Sequence, residues 1–276
     1  MSEAMRILAT NDDGVGAAGL WESVRALREL GDVMVAAPSG DHSGAGAGIL
    51  WHQRMAYRQI RPRRKGCEDV PTYIVYNTPA AAVTIGVEWL AKRKVDLVVS
   101  GINDGSNVGR DSLLSGTVGA ATAAAMMGIP SIAISQARRA RPTSFGSSKM
   151  VLPAIASMAV EEPSVRGLII SANAPYCRPD EIRGVVRVQP ADMHVFRRTT
   201  FDGEEPGANG LTTVNAGYRP MDWRGKEGTD IWALSQKYVT VELLRPELVR
   251  EAESAASRPL IERLNQAVRG MELPPD

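Results

Sequence analysis

Short apolar runs, each closed by a polar turn, alternate with segments of helical periodicity through the first half of the chain. Arg6-Ile7-Leu8-Ala9-Thr10 predicts a buried strand that ends in the turn-prone Asn11-Asp12-Asp13-Gly14. Leu20, Val24, Leu27 and Leu30 then recur at helical spacing before Gly31. Residues 33–37 read as a second strand stopped by Pro38, with a Gly/Ser-rich loop over 39–48 and a mixed, extended stretch over 49–60. A strand over 72–76 halts at Asn77-Thr78-Pro79, and an Ala-rich helix runs on to about Arg93. Residues 96–100 form a further strand with a Gly-rich loop after it. A small-residue helix from about Thr117 to Met127 stops at Gly128, before a strand over 131–135.

Strands at such intervals, joined by helices, imply βαβ units. The expected fold is α/β, with a Rossmann-like three-layer α/β/α core and a mostly parallel sheet. Beyond about Gly184 Pro, Gly and charged residues become common. Trp223-Arg224-Gly225-Lys226-Glu227-Gly228-Thr229-Asp230 reads as an exposed loop, residues 239–243 as a strand, and residues 246–270 as helical. The expected organisation is one domain over 1–276, with a core over 1–185 and an extended C-terminal oligomerisation arm over 186–276.

Composition narrows the partners. Apolar residues make up 44% of the 276, enough for a substantial core, while 32 Lys+Arg nearly balance 31 Asp+Glu. No global field draws the chain to nucleic acid or an anionic membrane, and the basic run Arg61-Pro62-Arg63-Arg64-Lys65 reads as a solvated loop. Cys67 and Cys177 are too far apart for C-x-x-C chemistry and read as reduced thiols. With no signal-like N-terminus and no apolar run of membrane-spanning length, the expected location is cytoplasmic.

In a parallel sheet ligands collect beyond the carboxyl ends of the strands. Three polar loops lie there: 11–14, 39–48 and 101–117. Adjacent Asp12 and Asp13 at the tip of a buried strand need a cation or an exit to water. A hard divalent ion with oxygen ligands answers that need, although a turn whose first Asp caps the following helix accounts for the pair equally well. Asn103 offers a neutral amide oxygen, and Ser43 a hydroxyl from a loop that also reads as plain surface. Ser115-Gly116-Thr117 precedes a helix, where free N–H groups and two hydroxyls form a phosphate cradle or simply a cap. No Walker-type phosphate loop, no G-x-G-x-x-G after the first strand, no H-E-x-x-H and no G-x-S-x-G occurs. His42, His52 and His194 lack metal-ligand spacing, and His42 reads as a surface residue rather than a proton donor.

Taken in order, several segments resemble the SurE (survival protein E) family of metal-dependent nucleotide phosphatases. They are residues 7–14, Ala37-Pro38 with Ser43-Gly44, Asn77-Thr78-Pro79, Ser100-Gly101-Ile102-Asn103 with Asn107 and Gly109, and Ser115-Gly116-Thr117-Val118. Gly228-Thr229-Asp230-Ile231-Trp232-Ala233-Leu234 and Tyr238-Val239-Thr240-Val241 continue the likeness. The resemblance implies that Asp12, Asp13, Ser43 and Asn103 hold one divalent ion, Mg²⁺ or Mn²⁺, with Asp12 and Asp13 catalytic. It implies that Asn103, Ser115, Gly116 and Thr117 bind phosphate, that nucleoside 5′- or 3′-monophosphates are hydrolysed, and that the arm joins a homodimer or homotetramer. The chain departs from the family at Ala80-Ala81-Ala82, at Leu114, at Ala123 and across Ser39-Gly40-Asp41-His42. These departures surround the ligand set, so a sugar phosphatase and a non-catalytic phosphate or nucleotide binder stand as alternatives.

Overall fold

The computed structural model describes residues 4–51, 54–138, 143–193, 199–219 and 225–246. His52, His194 and the helical stretch expected beyond Pro246 lie outside these residues. The main sheet has nine strands in the order β3-β4-β2-β1-β5-β6-β7-β11-β8. Its strands are β1 (Met5–Thr10), β2 (Gly31–Pro38), β3 (Tyr57–Ile60), β4 (Thr72–Val75), β5 (Leu97–Asp104), β6 (Ser131–Gln136), β7 (Ile169–Ala174), β8 (Val185–Arg187) and β11 (Val239–Leu244). Strands β4, β2, β1, β5, β6 and β7 run parallel. Strand β3 is antiparallel to β4, and β11 is antiparallel to β7 but parallel to β8.

Inner strands of such a sheet are covered on both faces, which is why they read as continuous apolar runs and not as alternation. Ile7 and Ala9 of β1 pack on one side with α1 (Ala18–Leu27) and α4 (Gly146–Glu161), whereas Leu8 packs on the other with α2 (Pro79–Ile85) and α3 (Gly116–Met126). Helix α2 continues as a π-helical turn, Gly86–Leu90. Two departures from the family, Ala80 and Ala123, are buried where α2 and α3 pack together. Both contribute to the packing of these helices, as does Ala82.

Neither α4 nor β7 is among the elements predicted above. Leu152, Ala156 and Ala159 give α4 a buried stripe at helical spacing, but Pro153 interrupts the helix pattern. Strand β7 hides behind its composition, since Ser171 and Asn173 alternate with apolar residues yet are buried.

The chain after β8 makes an antiparallel hairpin of β9 (Thr199–Pro206) and β10 (Thr212–Tyr218), then a short helix α5 (Asp230–Ser235), and re-enters the main sheet as β11 between β7 and β8. Asp230, expected in an exposed loop, is buried instead. Three backbone N–H groups saturate its carboxylate, which makes that burial tolerable. Cys67 and Cys177 are free thiols, and among the described residues no helix is long and apolar enough to cross a membrane.

One buried acid on β11 carries a consequence for stability. Glu242 is 7% exposed and one of its carboxyl oxygens has no hydrogen-bond partner. Burial, assisted by the nearby Asp230 charge, raises its pKa to about 7. The folded state therefore holds this proton more tightly than the unfolded chain does. The resulting stability is full below the unfolded pKa of about 4.3 and is lost as pH rises through about 7. Glu242→Gln is expected to raise the melting temperature at pH 8.5 and leave it nearly unchanged at pH 5, as read by scanning calorimetry.

Candidate active site at the carboxyl ends of β1 and β5

Strand order reverses between β1 and β5. From β1 the chain proceeds to β2 and β4 on one side, and from β5 to β6 and β7 on the other. Such a switch point opens a crevice beyond the strand ends, because the two connecting loops leave in opposite directions. Asn11 to Gly14 follows β1 there, and β5 ends there at Asn103 and Asp104. The register of β5 against β6 shifts between Ser100 and Asn103, so the bulge re-aims the end of the strand.

Asp12 is buried and Asp13 half-buried. The Thr117 hydroxyl donates to Asp12 Oδ1 at 2.6 Å, and the backbone of Thr117 also hydrogen-bonds that carboxylate. Gly116 makes this possible: a Cβ there would lie 2.7 Å from Asp12 Cβ and 2.9 Å from its Oδ2. Asp12 thus docks on the N-terminus of α3, where the helix dipole favours a negative charge. Thr117, expected among the phosphate binders, directs its donors to Asp12. Ser115 does cap α3, its hydroxyl oxygen accepting the Val118 N–H at 3.2 Å.

The second loop is tied to the same point. The His42 N–H donates to the Asp12 carbonyl at 2.8 Å, and the Gly46 N–H to the Leu114 carbonyl at 3.0 Å. Ser43 follows immediately, but it is exposed and its hydroxyl donates to Asp41 Oδ1 at 2.6 Å. That bond pulls the Asp41 carboxyl below its usual range. The structure therefore brings Asp12, Asp13, Asn103, Ser115, Gly116 and Thr117 to one rim, and turns the Ser43 proton toward Asp41.

Burial raises the Asp12 pKa against the opposing pull of the Thr117 hydrogen bond. Asp13 is pushed up to about 6, first by burial and then by the charge of Asp12, with Asp104 and Asp41 adding smaller repulsions. Among the described residues neither Asp12 nor Asp13 forms an ion pair, while Asp104 is held by Arg138 at 3.2 Å and by the Thr143 hydroxyl. Asp41 and Asp104 are the residues missed above. Each carries a carboxylate inside a loop already read as part of the rim, and that was the available signal.

The donors fit a hard divalent ion. No three His, Cys, Asp or Glu side chains gather as a metal cluster among the described residues, and a hard ion held here would draw on neutral oxygens beside the carboxylate pair. Such oxygens are present. Asn103 donates its amide N–H to the Gly105 carbonyl at 2.7 Å, which turns its carbonyl oxygen away as an acceptor. Thr10 and Ser100, paired across β1 and β5, have buried hydroxyls without partners, and so has the side-chain oxygen of Asn11. Buried orphan oxygens are rare in native proteins and call for a ligand or water. Cavities of about 560 and 570 Å³ lie elsewhere, at the amino ends of β1 and β2 and against β8 and β11. The titratable chemistry is at the strand tips, and the topology favours that end.

Comparison with known proteins identifies the family. The family model described as "Survival protein SurE" matches residues 7–196. A "5'-nucleotidase SurE" from Dehalococcoides mccartyi is 33% identical over 248 residues, covering 90% of this chain and 91% of the relative. One from Methanopyrus kandleri is 34% identical over 273 residues, covering 96% of this chain and all of the relative. The crystal structure of a SurE protein from Aquifex aeolicus superposes with a TM-score of 0.70 at 29% identity, over 95% of this chain and 99% of that one.

Two outcomes follow from the geometry. Both aspartates have folded pKa values above their unfolded ones, so metal-free protein should lose melting temperature as pH rises from about 4 through 6. Mn²⁺ should reverse that loss at pH 7, and a flat metal-free profile would contradict the raised values. Gly116→Ala drives a methyl group against the Asp12 carboxylate. It is expected to weaken Mn²⁺ binding at least ~10-fold in a calorimetric titration, since ligand misplacement of about 1 Å is severe.

Proposed function

The chain belongs to the SurE family, and on that premise we propose that it is a phosphomonoester hydrolase acting on nucleoside 5′- or 3′-monophosphates with one divalent ion, Mg²⁺ or Mn²⁺. The observation that carries this reading is the Asp12–Asp13 pair, Asp12 buried against the N-terminus of α3 and Asp13 half-buried beside it, with no ion pair to either among the described residues. The relatives named as 5′-nucleotidases support the substrate class.

Asp12, Asp13 and the Asn103 carbonyl oxygen hold the ion, with the Ser43 hydroxyl oxygen as a further donor. Once bound, such an ion supplies the positive charge that a phosphoryl group needs and acidifies a water for attack. The chain does the rest. Thr117 fixes Asp12 in one rotamer, so the donor set is arranged before substrate arrives. Asp13, the more accessible of the pair, accepts the proton released by the attacking water. The Ser115 hydroxyl and the Gly116 N–H, at the start of α3, orient the phosphoryl oxygens. The arm through which copies assemble as a dimer or tetramer lies within residues 186–276, and the β9–β10 hairpin is a described part of it that stands outside the main sheet.

A panel of nucleotides and sugar phosphates with Mn²⁺ tests the reading. AMP or GMP should be cleaved far better than ribose 5-phosphate, and chelator should abolish turnover. Asp13→Asn should lower kcat/KM by at least ~100-fold, the scale of a lost general base. Turnover indifferent to chelator or to Asp13→Asn would sink the mechanism. A preference for ribose 5-phosphate would move the substrate to the sugar phosphates. Thermal stabilisation by AMP without phosphate release would make the chain a binder.

A further inference from the structure

The rim segment between Asn103 and Ser115 runs from the end of β5 to the phosphate cradle at the start of α3, and its middle must be held if that cradle is to keep its place. Among the contacts that hold it, three tie its backbone and the Asn107 side chain to other elements. Asn107 bonds to β6 and β7, through its N–H to Asn173 Oδ1 at 2.8 Å and its side chain to Ser135 at 2.9 Å. Leu114 is held by the Gly46 N–H. Between them Gly109 opens a 3₁₀ turn, Gly109–Leu113, and its N–H donates to Asp230 Oδ2 at 2.6 Å. Of these three, only the Asp230 contact uses a charged acceptor, and it comes from a residue 121 positions away.

Asp230 is 1% exposed and forms no ion pair among the described residues. Its other oxygen, Oδ1, accepts the Ala191 N–H at 3.0 Å and the Ile231 N–H at 2.7 Å. One carboxylate therefore joins the rim, the segment leading into the hairpin, and α5. Gly109 is pressed onto that same segment. Its φ is +59°, and a Cβ there would meet the Met193 carbonyl oxygen at 2.6 Å. The Arg110 N–H bonds to Met193 O at 2.9 Å, and the Arg110 side chain pairs with Asp192 at 3.0 Å. The metal donors are held differently: Asp12 and Asp13 follow β1, Asp12 is fixed by Thr117, and Asn103 lies in β5 with its amide N–H on the Gly105 carbonyl.

We propose that Asp230 is a positioning residue for phosphate: through Gly109 it sets the end of the rim that leads into Ser115 and the start of α3, and so governs affinity for the phosphoryl group independently of affinity for the metal. The proposal rests on the phosphomonoesterase reading above. It assigns the C-terminal segment a role in substrate binding as well as in packing.

Asp230→Asn is the discriminating variant. An amide that keeps its oxygen on the two N–H groups of Ala191 and Ile231 must turn its NH₂ toward the Gly109 N–H. The flipped amide would oppose two donors, so the Gly109 bond is the one lost. With saturating Mn²⁺, calorimetric titration of the variant with inorganic phosphate should show affinity ~10- to 100-fold below wild type, the range for partners that orient ligands. Mn²⁺ affinity should stay within about twofold on the same logic of separate supports. Thr229→Ala, which removes the α5 cap on the Trp232 N–H without touching Gly109, should keep phosphate affinity.

Unchanged phosphate affinity in Asp230→Asn would overturn the proposal. So would an equal loss of Mn²⁺ affinity, or an equal phosphate defect in Thr229→Ala, since each would mean general loosening of the fold. If wild type binds inorganic phosphate and hydrolyses phosphomonoesters while Asp230→Asn matches it, only the role of Asp230 falls. If wild type does neither, the phosphomonoesterase reading falls and takes this role with it.

Discussion

Two carboxylates adjacent in sequence at the tip of a buried strand repel each other and resist burial, and the surroundings of Asp12 and Asp13 answer that one electrostatic problem. Asp12 is relieved from the protein side by the Thr117 hydroxyl and the start of α3. A helix N-terminus offers partial positive charge without bringing a cationic side chain that would compete with a metal. Asp13 receives much less help, only a long contact of 3.4 Å from the Asp104 N–H, and its pKa rises accordingly. The pair is thus half neutralised by the fold, and the remaining charge is what an external cation meets.

The composition of α3 follows from that docking. A carboxylate carried by β1 reaches the helix start only where Gly116 leaves the space. Beyond it Ala120, Ala121, Ala123, Ala124 and Ala125 keep α3 close to its neighbours. The alanines of α2 meet it from the side, at Ala80, Ala82 and Ala123. Ala80 and Ala123 thus face a shared packing surface.

Most of the central sheet was legible because inner parallel strands announce themselves as short apolar runs ended by turn residues. Strand β7 and helix α4 were not, since Asn173 and Ser171 obscure one and Pro153 the other. Their burial depends on partners distant in the chain, Asn173 on Asn107 for instance, and local pattern carries no trace of such partners. The loops of the site were legible for the opposite reason: topology alone sends the ends of β1 and β5 to one crevice. What each polar side chain does there was less so. Thr117 and Ser115 look alike in sequence, yet one turns to Asp12 and the other caps the helix. Asp230 read as part of an exposed loop because the N–H groups that bury it come from residues 109 and 191 as well as from its own helix.

The charge balance of the rim also orders events on the proposed reaction. A phosphate monoester arrives with up to two negative charges, toward Asp12, Asp13, Asp41 and Asp104. In the partly buried setting of the pair, unit charges a few ångströms apart interact by several kcal/mol, more than one or two backbone N–H contacts return. Phosphoryl binding without the cation is therefore unfavourable, and cation binding must come first or together with it. The same argument explains a division of supports within the fold. On the proposed reading the carboxylates that would meet the cation follow β1 directly and Asn103 lies in β5, whereas the groups that would meet the anion open α3, at the end of a loop braced from the C-terminal side. A loop that acts only after the charge is balanced can be held by a separate brace, and Asp230 is placed to be that brace.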